Sequence, residues 1–238
     1  MRDYIQFYFF LRLLSDPGDD EVYFLSLSAR NKYLTDEERI LYGLGRTEMF
    51  SRTIARDRHL GYHRAMAEMN ASLSWRRTSK GLPIPQKALV AYANLIPSST
   101  LDAYGKFTST MGLIQSEIIK AIRNGKNPNM DAFLRLDKKL MTNIQQASGK
   151  KVWVDIDFDS KDREALSEFR QRITGTDHYV ISSHGGYHIL IRSTTMTRAV
   201  SLAVGEFNDK LDGEVIFNRN NMIPIPVTLQ AGHLVKFI

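Results

Sequence analysis

Residues 152–158 read VWVDIDF, so Asp155 and Asp157 stand two apart inside a run of valine, tryptophan, isoleucine and phenylalanine. A lone carboxylate in apolar surroundings is costly unless it is paired or metal-bound. On a strand, residues i and i+2 share a face, so both carboxyl groups emerge together, about 6–7 Å apart. Val154, Ile156 and Phe158 then point the other way, into a core. A paired-carboxylate face with an apolar back is suited to gripping a hard divalent cation for phosphoryl transfer. The same spacing also suits a solvated strand end with two charges showing. Asp159 adds a third carboxyl group on the apolar parity, which predicts that it starts a loop or caps the following helix.

A second group lies in ISSHGGYHILI, residues 181–191. A strand ending in Ser182 and Ser183 enters a Gly-Gly turn and returns through His188. Hydroxyls, backbone N–H groups and one imidazole in a small volume suit an anionic phosphate, although a tight hairpin by itself also calls for Gly-Gly. His178, His184 and His188 invite a metal reading, but two strands and a turn offer no spacing for a fourth zinc ligand. Farther on, Asp212 closes an apolar helix ahead of a strand, where by itself it is a turn residue.

These groups need elements to hold them. EVYFLSLSA (21–29) alternates as a strand, and Thr35 with Glu38 three residues on predicts a helix start closed by GLG. A helical stretch is expected from about Arg46 to Leu73, then a loop at KGLPIP, where Pro83 and Pro85 forbid a regular element. ALVAYANL (88–95) is a strand candidate, followed by a long helix or two. A further helix is capped by Asn129 or Asp131 and carries Phe133, Leu136, Leu140 and Ile144 on one side. From residue 152 the order becomes strand–helix–hairpin–helix–strands. The expected class is α+β: a helical N-terminal region followed by an RRM-like mixed sheet with flanking helices. As domains, 1–87 is a mostly helical basic region packed on a core of 88–238, with one continuous domain as the other arrangement.

The bulk numbers bound the function classes. At 238 residues there is room for one large domain or two small ones. No cysteine is present, which excludes disulfide frameworks, Cys-based zinc sites and iron–sulfur clusters. No apolar run approaches a membrane span, and the N-terminus lacks the pattern of a signal peptide, so a soluble cytoplasmic protein with no membrane partner is expected. The net charge is +6. From Arg46 to Lys87 there are nine Lys or Arg against three Asp or Glu, so this block carries the whole excess. Such a block is the footprint of a polyanion-binding surface, with the exposed face of a helix that has no partner as the other reading. Within it, Arg76 and Arg77 follow Trp75 and are the candidate nucleic-acid contacts.

Taken in order, VDIDF, SSHGGYH, and KLD with NNMIPIPVTLQAG resemble the motifs of the archaeo-eukaryotic primase superfamily. The ending is most similar to the phage and CRISPR-associated primase–polymerase branch, and the match covers roughly residues 150–238. Val227 stands where that branch usually has glycine, and Glu214 competes with Asp212 for the third acidic position. The resemblance implies a metal-dependent DNA primase or polymerase. In that reading Asp155, Asp157 and Asp212 hold Mg²⁺ or Mn²⁺ against an incoming nucleoside triphosphate, and Ser182 or Ser183 with His188 holds the triphosphate. The implied partners are a single-stranded DNA template, a primer and a helicase or accessory replication protein, in a prokaryotic host, phage or mobile element.

Two other classes compete: a non-catalytic nucleic-acid-binding replication subunit, and a metal-dependent replication-initiator nuclease. Nucleotide-dependent product separates the first reading from both, and DNA scission identifies the nuclease. Carboxyl groups that repel one another without metal also predict that removing either Asp155 or Asp157 leaves the fold intact and does not lower apo stability.

Overall fold

The computed structural model describes residues 2–14, 16–45, 47–57, 60–71, 77–78, 80–131, 133–147, 149, 151–218 and 222–238. Helix α1 (Arg2–Leu13) leads to β1 (Glu21–Arg30), α2 (Asp36–Tyr42), β2 (Thr47–Ala55) and α3 (Leu60–Ala71). Next come β3 (Leu89–Asn94), β4 (Ser98–Ser99), α4 (Thr100–Arg123) and α5 (Leu136–Gln146). The region that carries the motifs is β5 (Trp153–Phe158), α6 (Arg163–Arg172), β6 (His178–Ser182), β7 (Tyr187–Arg192), α7 (Arg198–Lys210) and β8 (Val215–Phe217). Four short strands close the chain: β9 (Met222–Pro224), β10 (Leu229–Gln230), β11 (His233–Leu234) and β12 (Lys236–Phe237).

Local chemistry explains several boundaries. Thr35 and Glu38 form a reciprocal capping box on α2, and Gly43, at φ 62°, ends that helix in the left-handed region. Ser99 caps α4 by accepting a hydrogen bond from the Asp102 amide, and α4 runs as one helix. Asp162, not Asp159, caps α6, accepting from the amides of Glu164 and Ala165 at 2.8 and 3.0 Å. The helix expected from Asn129 or Asp131 starts later. Asn129 accepts from the Asp131 amide in a turn, a 3₁₀ turn spans Phe133–Arg135, and α5 follows.

The fold is α+β, and among the described residues every strand pairing is antiparallel, so the expected mixed sheet is corrected to two five-stranded antiparallel sheets beside a small β10-β11 pair. One sheet has the order β2-β1-β3-β9, with β4 paired to β1, and the other has the order β12-β6-β7-β5-β8. Within the second, β5-α6-β6-β7-α7-β8 threads as a split β-α-β unit, with β7 lying between β5 and β6. Ile156 and Phe158 pack beneath α6 and α7 with Phe169, Val200 and Phe207. On the opposite face, Trp153, Ile181 and Leu190 share a core with Leu25, Ile223 and Ile225 of the first sheet.

Among the described residues, the N-terminal region is not mostly helical. The stretch Thr47–Ala55, expected as part of a helix, is β2, because its register against β1 from Tyr23–Ala55 to Arg30–Thr47 overrides its local pattern. A division at residue 87 cuts through a hydrogen-bonded sheet, since β3 and β9 complete the sheet begun by β1 and β2. Helix α1 is tied to the second sheet by the Trp153 indole, which donates to the Leu13 carbonyl at 2.9 Å, and by Gln6, which bonds both backbone groups of Phe237. No described helix is long and apolar enough to cross a membrane.

Candidate active site

The parity read from VWVDIDF holds. Ile156 and Phe158 are buried under the helices, while Asp155 and Asp157 point toward the first sheet. On the neighbouring strand His188 lies opposite Asp157, and Leu190 opposite Asp155. Directly paired residues share a face, so β7 delivers the imidazole to both carboxyl groups. His188 Nδ1 is 3.1 Å from Asp155 Oδ2, and His188 Nε2 is 3.9 Å from Asp157 Oδ1.

The two carboxyl groups have different surroundings. Asp155 is 1% exposed. Its Oδ2 faces His188 and accepts from Asn218 Nδ2 at 2.6 Å, while its Oδ1 is buried without a partner. Asp157 is half-buried and opens into a cleft of about 320 Å³. Burial pushes the Asp157 carboxyl above the usual carboxylate range, His188 draws it back down, and Asp155 and Asp159 push it up again. Burial lowers His188, but the charge and hydrogen bond of Asp155, followed by Asp157 and Asp159, outweigh it and hold the imidazole above its ordinary value.

Asp159 lines the same cleft. The regular strand ends at Phe158, so Asp159 starts the loop, as expected, and does not follow the alternation into the core. The opposite wall comes from β1 and the turn after it. Ser26, Ser28 and Arg30, at i, i+2 and i+4, face the cleft beside Lys32, Tyr33 and Tyr92. Arg30 Nη1 donates to the Tyr92 hydroxyl at 2.8 Å, and Arg30 Nε is buried without a partner. Burial pushes both Tyr33 and Tyr92 above the ordinary phenol value, so both stay neutral.

The β6–β7 turn forms one rim. The Ser183 amide donates to the Gly186 carbonyl at 2.8 Å, and the Gly186 amide donates to Ser183 Oγ at 3.3 Å. A Cβ on Gly186 would lie 2.1 Å from the Phe158 carbonyl oxygen, so only glycine lets the turn sit against the end of β5. Gln230 fastens the turn to the first sheet, accepting from the His184 amide at 3.0 Å and donating to the Tyr33 hydroxyl at 2.6 Å. Val227, where glycine was expected, has φ 71° in the turn ahead of Gln230.

Of the residues singled out in the sequence, Asp155, Asp157, Ser183 and His188 converge. Ser182 points away from the cleft, its Oγ 3.2 Å from His233 Nε2. Asp212 is exposed in the turn after α7 at φ 48°. Because Val215 lies opposite Phe158, and Asp159 N donates to the Glu214 carbonyl, residue 212 falls beyond the Asp159 end of β5. Neither Asp212 nor Glu214 is among the described residues that line the cleft. Arg76 lies outside the described residues, and Arg77 is exposed in a bridge to Pro83. No described cleft residue comes from the basic block 46–87, whose Arg52, Lys80 and Lys87 bond Thr142, the Ile40 carbonyl and Glu38.

His178, His184 and His188 do not converge as a zinc site: His178 bonds Thr176, His184 packs edge-on to Tyr33, and His188 meets Asp155. Among the described residues no three His, Asp or Glu side chains are already arranged as a metal-ligand set. The donor chemistry nevertheless fits a hard divalent cation. Asp157 is crowded by other carboxyl groups, Asp159 stands at the mouth, and Asp155 Oδ1 has no partner. Mg²⁺ is commonly held by one or two carboxylates with substrate phosphates and water completing the shell, so a preformed cage is not required.

No family model matches the chain, and no curated protein or solved structure matches it either.

Proposed function

We propose that the cleft binds a nucleoside triphosphate with Mg²⁺ or Mn²⁺ and adds its nucleotide to a nucleic-acid strand on a single-stranded DNA template, as a primase–polymerase. The observation that carries this reading is the facing arrangement. Asp157, Asp159 and His188 on one wall look across a single cleft at Arg30 and Lys32 on the other. Carboxyl groups facing cations across a few hundred Å³ fit a metal–triphosphate better than a neutral ligand. In this reading Asp157 and Asp159 hold the cation, while Asp155, locked by His188 and Asn218, fixes the imidazole beside Asp157. Arg30 and Lys32 meet the phosphates, and neutral Tyr33 and Tyr92 offer hydroxyls to the sugar or base. The bound metal would lower the pKa of the attacking hydroxyl and offset charge on the leaving pyrophosphate. The strand's 3′-oxygen forms a bond to the α-phosphorus as the bond to the pyrophosphate breaks, and the hydroxyl proton passes to solvent.

One observation favours a binding-only role: Asp155 is buried, with its Oδ2 already engaged by His188 and Asn218, and Asp212 is not among the described cleft residues. One assay separates the readings. Primed and unprimed single-stranded templates are incubated with NTPs or dNTPs, in Mg²⁺ or Mn²⁺. Nucleotide-dependent, EDTA-sensitive product is the expected result. Nucleotide binding with no product under any combination would leave the binding-only role, and scission of the template would identify a nuclease.

A further inference from the structure

A second groove, of about 420 Å³, lies behind the β6–β7 turn, between α6 and the β12 edge. Arg163, Ser167 and Arg170 sit at i, i+4 and i+7 of α6, one stripe along a single helix face. Lys236 of β12 and His233 of β11 line the opposite side, and Leu166 and Tyr187 supply an apolar floor. No carboxyl side chain is among the described lining residues. On the other side of α6, Glu168 pairs with Lys210 and Arg172 with Glu206. Among the described residues neither Arg163 nor Lys236 has a carboxylate within ion-pair distance.

The groove and the cleft share one wall. Adjacent residues of the turn face opposite ways, with Ser183 in the cleft and Ser182 in the groove. Positive charge runs round the tip between them. Burial lowers His184, and Lys161, His233 and Lys32 lower it further. Burial likewise lowers His233, with Lys161 and Lys236 adding to it.

We propose that a single-stranded nucleic acid passes from the cleft over the β6–β7 turn and lies in this groove, with its phosphates on Arg163, Arg170 and Lys236. A positively charged groove that tracks the phosphate backbone is one half of the pattern that holds single strands without sequence preference; the Tyr187 ring here is buried in the floor and the phosphate contacts carry the binding. The cleft end of this path rests on the proposed function, whereas the groove is testable without catalysis.

The test is fluorescence anisotropy with labelled oligothymidylates of about 5 and about 15 nucleotides, within the usual range of single-strand site sizes. Salt titrations compare the wild type with the Arg163→Ala/Arg170→Ala/Lys236→Ala variant and, separately, with Ser167→Glu. All four positions are exposed, and melting curves confirm folding. Single-strand binding loses about 0.7 of log–log salt slope per phosphate contact, so the triple variant should lose about 2 for the long oligomer. Ser167→Glu should weaken the long oligomer, and nucleotide binding should be unchanged in both variants. An unchanged slope, equal loss of nucleotide binding, or equal displacement by polyglutamate would overturn the groove assignment. A reduced slope in a protein that incorporates no nucleotide would uphold the groove while the catalytic reading fails. Incorporation with an unchanged slope would do the reverse.

Discussion

Replacing Asp155 by alanine removes the partner of a buried imidazole and a partly buried amide, whereas replacing Asp157 by asparagine relieves a crowded, half-buried carboxyl. Without Asp155, His188 Nδ1 and Asn218 Nδ2 lose contacts of 3.1 and 2.6 Å. Removing one member of a buried charged pair typically costs about 3–5 kcal/mol. In a chain of this size each kcal/mol lowers Tm by about 2–4 °C, so a fall on the order of 10 °C is expected. That is a large share of a typical total stability of about 5–15 kcal/mol, but not all of it. Asp157 behaves oppositely. Its folded pKa lies above the unfolded reference of 3.8, so apo stability falls as pH rises from that reference through the folded value. The asparagine removes that fall, and Asp157→Asn should therefore match or exceed the wild type at neutral pH. Thermal and urea unfolding in EDTA measure both. The sequence expectation that the two carboxyl groups are alike in this respect is thereby replaced. An Asp155→Ala protein as stable as Asp157→Asn would refute the assignment of Asp155 as the buried anchor.

His188 has a folded pKa raised above 6.5, so the stability it contributes is complete below that value and fades as pH rises through the folded one. The gap in unfolding free energy between wild type and His188→Gln in EDTA should accordingly be wider near pH 6 than near pH 9; an equal or wider gap at the alkaline end would contradict it. Val227 is β-branched in the left-handed region, where such residues pay roughly 1–2 kcal/mol, partly offset by glycine's larger unfolded-state entropy of about 0.5–1 kcal/mol. Val227→Gly should then raise stability by roughly 0.5–1 kcal/mol in a denaturant titration, and a loss of stability would show that the turn is not strained.

The parts of the fold legible in the letters were those with strong local signals. Thr35 with Glu38 announced a capping box, and VWVDIDF sorted its residues between two faces because a regular strand has a fixed period. Thr47–Ala55 was not legible because its strand state comes from pairing with β1, not from its own alternation. Asp159 was legible as the start of a loop but its place in the cleft was not, because that depends on how the chain turns after Phe158; the placement of Asp212 was not legible either, because a hydrophobic–Asp pattern does not say where the next strand docks. Arg30 and Lys32 lie outside the basic block that drew attention, yet they line the cleft. One signal could have found Arg30: Ser26, Ser28 and Arg30 place polar groups on one face of an otherwise apolar strand. Asn218 and Gln230 gave no comparable signal, since each acts through a partner brought close only by the tertiary fold.

The central claim is that nucleotide chemistry depends on Asp157 in the cleft and not on Asp212 in the turn after α7. Asparagine suits both positions, because Asp157→Asn relieves crowding and asparagine tolerates the positive φ of residue 212. The decisive measurement is primer extension on a single-stranded template by wild type, Asp157→Asn and Asp212→Asn, each shown to be folded. Extension by the wild type, a loss of at least about 100-fold in Asp157→Asn and near-wild-type extension by Asp212→Asn are the predicted results, since a catalytic metal is worth several kcal/mol. Extension that survives in Asp157→Asn, or that is lost in Asp212→Asn, would contradict the account.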